Sequence, residues 1–512
     1  MKNNYIYLLI IGLFSLLAAS CIDDKGNYEY EDPANILPAT ISGINDTTIM
    51  YNAVLKIVPE IHGADNGDYA YNWNVTPSVT AGRLPEKTVL SEERILNVVV
   101  PAKVGIGTFF LTFEVRDKKT NLYVRKQVLL TLTATNINTG WYILKDINDE
   151  TDFDYISRDG STQIPDVLLT RATPAARIKG TAVQMVYQQT RYYHTVTNTL
   201  GVVTTLANQQ VFHILSSRDI KTYNAANFEL FKNYEDQFYS LPPNCNPQSI
   251  RYPAQGSGDL FLLNDGKIHA IYGMSGNIGK YPAPKVGLYS MHKDMIAPSF
   301  SNALYFDMVT CTFYSVSSNG YSINKLSEES ASAPTPIGIS PTNMNYTLLN
   351  LLPGGDMNTS IRAFAVMQNK TTNDYYLVGI LSQYSPATAY PFTSFNIIPA
   401  GNKMPLAAVK AAPYSGDFVY FGDNNKLCVY KNIDIPNREQ VLITFDAGET
   451  VSYIQHMYSL ANNYNWLAVL TNSASGWKLY VYNVIGVGIS EIDNTPIQTY
   501  SGTGNARSLI YR

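Results

Sequence analysis

The strongest constraint on this chain is a hairpin that returns. "GDLFLLNDGKIHAIY", beginning at Gly258, and "GDFVYFGDNNKLCVY", beginning at Gly416, share one pattern. An alternating apolar strand enters a turn of Asn, Asp or Gly, a lysine follows, and a second strand closes on tyrosine, which specifies antiparallel pairing. A third copy, "NWLAVLTNSASGWKLYVY", puts Lys478 52 residues after Lys426, and Lys267 stands 159 residues before Lys426, or about three steps of 53. Steps of that size from Lys267 reach Gly320 in "SSNGYSI" and Asn373 in "TTNDYYLVGI", and backward steps reach Gln210 in "NQQVFHIL" and Asp152 in "ETDFDYIS". All are turn-to-strand junctions, so seven result, at about 152, 210, 267, 320, 373, 426 and 478.

A single hairpin unit cannot bury its own apolar faces, and β repeats of about 40–55 residues bury them by radial stacking. Seven units over residues 140–512 therefore predict a seven-bladed β-propeller. Closure is readable too. The last residues, "SLIYR", resemble "SIRY" at Ser249, which precedes a middle hairpin, so the C-terminal strand is expected beside "WYILKDI" at Trp141.

Upstream, residues 39–136 alternate in short runs separated by turn signals. "FFLTFEV" and "YVRKQVLLTL" have period two and are joined by "RDKKTN", a hairpin connection, so this stretch reads as an antiparallel β-sandwich. The fold class is all-β throughout. Composition agrees: 38 Tyr and 19 Phe against only 15% charged residues suit half-buried strands better than helices. A net charge of -4 offers no basic field for phosphates, which excludes a nucleic-acid partner.

The amino terminus sets location. Lys2 is followed by an apolar run from Ile6 to Ala19, the length of an export signal and short of a bilayer span. Ala18, Ala19 and Ser20 stand before Cys21, an arrangement that resembles the bacterial lipobox, although that motif prefers Leu where Ala18 stands. The resemblance implies a lipoprotein signal peptide over residues 1–20 and lipidation of Cys21. Residues 21–38 carry Asp23, Asp24, Glu29, Glu31 and Asp32 with no apolar period, which predicts a solvated tether. Acids directly behind such a cysteine resemble the surface-export signal of Bacteroidetes lipoproteins, implying an outer-membrane anchor and exposure at the cell surface. Cys245, Cys311 and Cys428 are widely spaced and suggest neither a disulfide framework nor a zinc knuckle.

Trp73 in "YNWNV", followed by "GTFFLTFEVRD", resembles the PKD or immunoglobulin-like pattern, in which a central aromatic packs the core and a glycine opens a later strand. "NVTPSVTAG" replaces the usual Gly-Asp-Gly turn, so the likeness is to the PKD-like domains of Bacteroidetes lipoproteins. That family resemblance implies a non-catalytic accessory component of a SusC/SusD-type outer-membrane nutrient importer, binding a peptide or an oligosaccharide. The alternative is a propeller enzyme, a glycosidase or lyase acting on surface polysaccharide.

Chemical motifs are sparse. Six histidines lack metal-ligand spacing, and neither a GxSxG elbow nor a P-loop is present, so no catalytic residue and no cofactor are nominated. The acidic stretch "DINDETDFD" offers Asp146, Asp149 and Asp152 as calcium candidates, but its spacing is not that of an EF-hand and an acidic turn is the preferred reading. "VYQQTRYYH" at Val186 and "YSLANNYNW" at Tyr458 could present aromatic faces to sugars or peptides.

Overall fold

The computed structural model describes residues 40–50, 53–62, 68–78, 86–101, 104, 107–133, 139–197, 201–253, 259–273, 279–297, 302–317, 323–326, 339–356, 360–381, 392–433, 435 and 437–512. The expected signal, Cys21 and the acidic tether lie outside them. The chain divides into two compact units, Met1–Thr133 and Ala134–Arg512.

The first unit is a β-sandwich. Its five-stranded sheet runs in the order Thr47–Met50, Tyr123–Thr133, Gly107–Asp117, Tyr69–Pro77, Thr88–Ser91, with the first pair parallel and the others antiparallel. Two small antiparallel pairs, Thr40–Ser42 with Glu60–His62 and Val54–Ile57 with Leu96–Val99, complete it. Alternation decides which face is inward: Phe109, Leu111, Phe113 and Val115 are buried at every second position of one strand. Trp73 is fully buried and stacks on Phe113 with ring centroids 4.2 Å apart. Its indole N–H is not left unpaired, since it donates to the Glu93 carbonyl at 3.1 Å.

In the second unit the described residues form seven separate antiparallel sheets. The first contains Gly140–Ile147, Glu150–Ser157, two short strands and the C-terminal strand Asn505–Tyr511. The second contains Ala182–Thr197, Val203–Ser216, Ile220–Asn224 and Leu230–Lys232, and the third Pro247–Arg251, Leu260–Asn264 and Lys267–Ile271. Ala303–Asp307, Thr312–Val316 and Ile323–Lys325 make the fourth, with single bridges from Met291 and Ile296. The fifth runs from Tyr346 to Ile398, the sixth from Lys410 to Thr444 and the seventh from Thr450 to Gly502, with four strands each.

Turn chemistry explains the recurring Asn, Asp and Gly. Asp265, Gly266, Asn373 and Asn424 all take positive φ, a region that other L-residues enter only at a cost. Of the expected junctions, 267, 373, 426 and 478 fall at or just after the turn into the third strand of their sheets. The one expected at 210 falls inside a strand, because the second sheet opens with unusually long strands of 16 and 14 residues and turns only at 217–219. The one at 320 lies outside the described residues.

Packing between sheets follows one rule. Each sheet buries both faces, so consecutive residues enter different cores: Trp141 and Ile143 join a cluster with Leu470 and Trp477 of the seventh sheet, while Tyr142 and Leu144 join one with Phe212 and Ile214 of the second. Further clusters join the second to the third, third to fourth, fourth to fifth, fifth to sixth and sixth to seventh sheets. The C-terminal strand pairs antiparallel with Gly140–Ile147 from Trp141↔Tyr511 to Asp146↔Asn505.

Candidate functional site

The acidic stretch folds as one hairpin of the first sheet. Asn148 and Asp149 occupy its turn, both with positive φ. Beyond the turn the acids sit in a strand, where period-two geometry puts Asp152 and Asp154 on one face. That face is buried, so the carboxylates need cations. Lys145 Nζ, fully buried, lies 2.6 Å from Asp154 and 3.0 Å from Asp166; Arg177 reaches Asp152 at 3.3 Å and Asp166 at 3.2 Å. Asp152 also accepts from the backbone N–H of Leu168 and Phe153, and Trp477 of the seventh sheet donates to Asp154 at 3.0 Å. Burial pushes the Asp152 carboxyl up to about 6 against those hydrogen bonds.

The three calcium candidates therefore face different cations: Arg507 for Asp146, Arg218 at 2.7 Å for Asp149 and Arg177 for Asp152. Among the described residues no group of three or more His, Cys, Asp or Glu is placed to hold a metal ion. The sequence reading of an acidic turn accounts for Asp149; Asp152 and Asp154 instead belong to a buried ion network, in which Lys145 of the same hairpin pairs with Asp154, Arg177 pairs with Asp152 and Trp477 of the seventh sheet donates to Asp154. Cys245, Cys311 and Cys428 are all free thiols.

A second polar group draws on residues of five of the seven sheets. Arg251 ends the Pro247–Arg251 strand of the third sheet, and the groups that act on its charge are Tyr453 of the seventh sheet and Asp294 and Tyr305 of the fourth. Burial lowers its affinity for the proton from the ordinary arginine value, and those three groups oppose the effect. Lys410 of the sixth sheet donates to Asn350 of the fifth at 2.7 Å and to the Ala407 carbonyl. Burial pulls its ammonium down to about 8, with Asp294 opposing and Lys293 reinforcing. Asp294 accepts from the backbone N–H of Leu351 at 3.1 Å. Five sheets thus converge on Arg251, Asp294, Tyr305, Asn350, Lys410 and Tyr453. None of these residues was nominated from the sequence, since they share no motif; the only trace is "SIRY", quoted for its strand pattern and containing Arg251.

The aromatic segments take two forms. In the seventh sheet Tyr464 stacks on Trp466 with centroids 4.6 Å apart, Tyr511 approaches Trp466 at 5.5 Å, and Tyr458 lies 4.5 Å from Tyr414; Tyr414, Tyr458, Tyr464, Trp466 and Tyr511 are only partly buried. In the second sheet Tyr192 is buried, with Lys232 over its ring at 5.5 Å. Beside Tyr192 lies a cavity of about 10 Å³, lined also by Gln188, Arg191 and Gly279, which is room for one water molecule and no more.

The fold and these sites define an all-β chain, a sandwich followed by a unit whose described residues form seven antiparallel sheets. The model of the PKD-like family matches residues 21–191, which takes in the sandwich, the first sheet apart from its C-terminal strand Asn505–Tyr511, and part of the second. No curated protein matches the chain.

Proposed function

We propose that residues 134–512 form a seven-bladed β-propeller and that the chain is a surface-anchored, non-catalytic lipoprotein serving a SusC/SusD-type outer-membrane importer. For the propeller, the support is the cyclic order of the seven apolar clusters together with a first sheet assembled from both ends of the unit. For the anchored protein, the observation that carries the reading is where the family match begins. It starts at Cys21, so the apolar run before that cysteine stands outside the region that defines the family. This is what a chain cleaved before a lipidated Cys21 would show.

In this reading the sandwich is a spacer and the propeller binds a peptide or oligosaccharide for the importer. A middle in which Asp294 stands among Arg251, Lys410 and tyrosines suits binding, whereas glycosidase chemistry uses a pair of carboxylates across the scissile bond. The test is affinity capture of the intact lipoprotein from detergent-solubilised outer membrane. Importer subunits should accompany the wild type, and their absence sinks the assignment. Cys21→Ala should move the protein to the soluble fraction with an unchanged far-ultraviolet circular dichroism spectrum.

A further inference from the structure

We propose that Cys311 and Lys370 are the two ends of an oxidative cross-link, Sγ–O–Nζ, that staples the fourth sheet to the fifth. The inference is independent of the lipid anchor, of the importer and of the propeller reading.

Local turns bring the pair together. Cys311 ends the turn between Ala303–Asp307 and Thr312–Val316 of the fourth sheet and takes positive φ. Asp307 fixes that turn by accepting from the backbone N–H of Val309 at 3.1 Å and of Thr310 at 3.0 Å. Lys370 directly follows Ser360–Asn369 of the fifth sheet, in a turn where Asn369 accepts from the N–H of Thr371 at 2.8 Å and of Thr372 at 3.0 Å. Both backbones are then tied to one short segment. The N–H of Met344 donates to the Cys311 carbonyl at 2.9 Å, and the N–H of Lys370 donates at 3.0 Å to the carbonyl of Asn345, the next residue.

The side chains meet at short range. Lys370 Nζ lies 2.8 Å from Cys311 Sγ, and among the described residues that sulfur is the one partner of the ammonium. Hydrogen bonds from nitrogen to oxygen span about 2.7–3.2 Å. Sulfur is larger than oxygen, so 2.8 Å is closer than a hydrogen bond to a thiol requires; it is too long for a direct S–N bond and leaves the span of one bridging oxygen. The other contact of the thiol is the Met308 carbonyl at 3.8 Å. Exposure admits a small oxidant and little else. Cys311 is 6% exposed, in an apolar cluster with Phe313 and Met367, whereas Lys370 is exposed. A bulky second thiol cannot reach that sulfur, so the lysine nitrogen is the atom at hand when it is oxidised.

Dioxygen supplies the oxidation. The thiol, the ammonium and one O2 give the Sγ–O–Nζ link, one water and one proton. The S–H bond, two N–H bonds and the O–O bond break, and the S–O and O–N bonds form. Sulfur and nitrogen each lose two electrons, and these four reduce the two oxygen atoms, one kept in the bridge and the other released as water.

The test is mass spectrometry of the purified full chain, either kept anaerobic with dithiothreitol or exposed to air, then unfolded, alkylated with iodoacetamide and digested with trypsin. Air-exposed wild type should give residues 294–325 joined to residues 363–403 uncut at Lys370, at the summed mass of the two peptides plus one oxygen and minus two hydrogens. Dithiothreitol should remove that species and restore alkylation of Cys311. Lys370→Arg, an exposed position with its charge retained, should lose the link and leave Cys311 open to alkylation. Joining residues 59 apart should also raise the melting temperature of air-exposed wild type by about 5 °C over the reduced protein, with no such rise in Lys370→Arg. Air-exposed wild type without the linked peptide overturns the proposal, whether Cys311 is then alkylated or singly oxidised. A linked peptide lacking the added oxygen overturns the bridge, and an equal air-dependent rise in Lys370→Arg overturns the staple.

Discussion

The seam between the C-terminal strand and the first sheet can be broken with one side chain. Leu509 is 4% exposed and opposes Ile143 across that seam, within the cluster that joins the seventh and first sheets. Leu509→Ala removes its buried methyl groups and leaves a cavity against Trp141 and Leu470, which costs about 2–5 kcal/mol. Domains are stable by only about 5–15 kcal/mol, so this is a large fraction of the total. With about 2–4 °C per kcal/mol for domains of some 200 residues, and less for larger ones, a fall of about 4–10 °C is expected. Differential scanning calorimetry on the full chain would measure it. Ile497→Ala, at a side chain 44% exposed, is the control and should shift the transition by no more than about 0.5 kcal/mol. Deleting residues 506–512 should go further, since it also removes Ala506 and uncovers Trp141 and Tyr142. Equal shifts for Leu509→Ala and Ile497→Ala, or an unchanged melting temperature after the deletion, would refute the idea that this seam holds the unit together.

Three other outcomes follow from buried groups. Lys145→Met should destabilise the second unit by about 3–5 kcal/mol in urea unfolding, because Asp154 and Asp166 lose a shared cation inside the protein; a loss below about 1 kcal/mol would show that Arg177 alone suffices. His213 is buried between Thr222 and Gln188, and burial first, then Lys232, pulls its imidazole down to about 3. The unfolded chain takes up the proton near 6.5 and the folded chain does not, so this residue's contribution to stability is lost as pH falls from about 6.5 toward 3, by about 1.4 kcal/mol per unit. His213→Gln should flatten that slope in melting curves against pH, and an unaltered slope assigns it to other groups. Trp73→Ala should cost the sandwich about 3–5 kcal/mol; with two compact units, calorimetry should show one transition lowered and the other in place.

Much of this architecture is local in origin and so legible in the chain. Alternation in "FFLTFEV" fixes which face of the strand is buried, and the Asn, Asp and Gly at turns mark the places where φ must be positive. The tight hairpins at 265–266 and 424–425 are local in the same sense, whereas the long hairpin of the second sheet displaces its junction from 210 to 217–219, since strand length is set by packing partners rather than by the turn. The acidic run is intermediate. Its turn could be read from Asn148 and Asp149, but the buried state of Asp152 and Asp154 depends on Arg177, Asp166 and Trp477.

What the sequence by itself determined is the all-β class, the alternation that sets each strand's buried face and the repeating hairpins, because each depends on residues a few positions apart. What only the tertiary structure decided is which charges meet. Arg251 and Tyr453 stand some 200 residues apart, and Lys410 and Asp294 more than 100, with nothing in their neighbours to mark them. Their encounter depends on the order in which seven sheets pack their two faces against one another. That order is a property of summed apolar burial over the whole unit, and no short segment carries it.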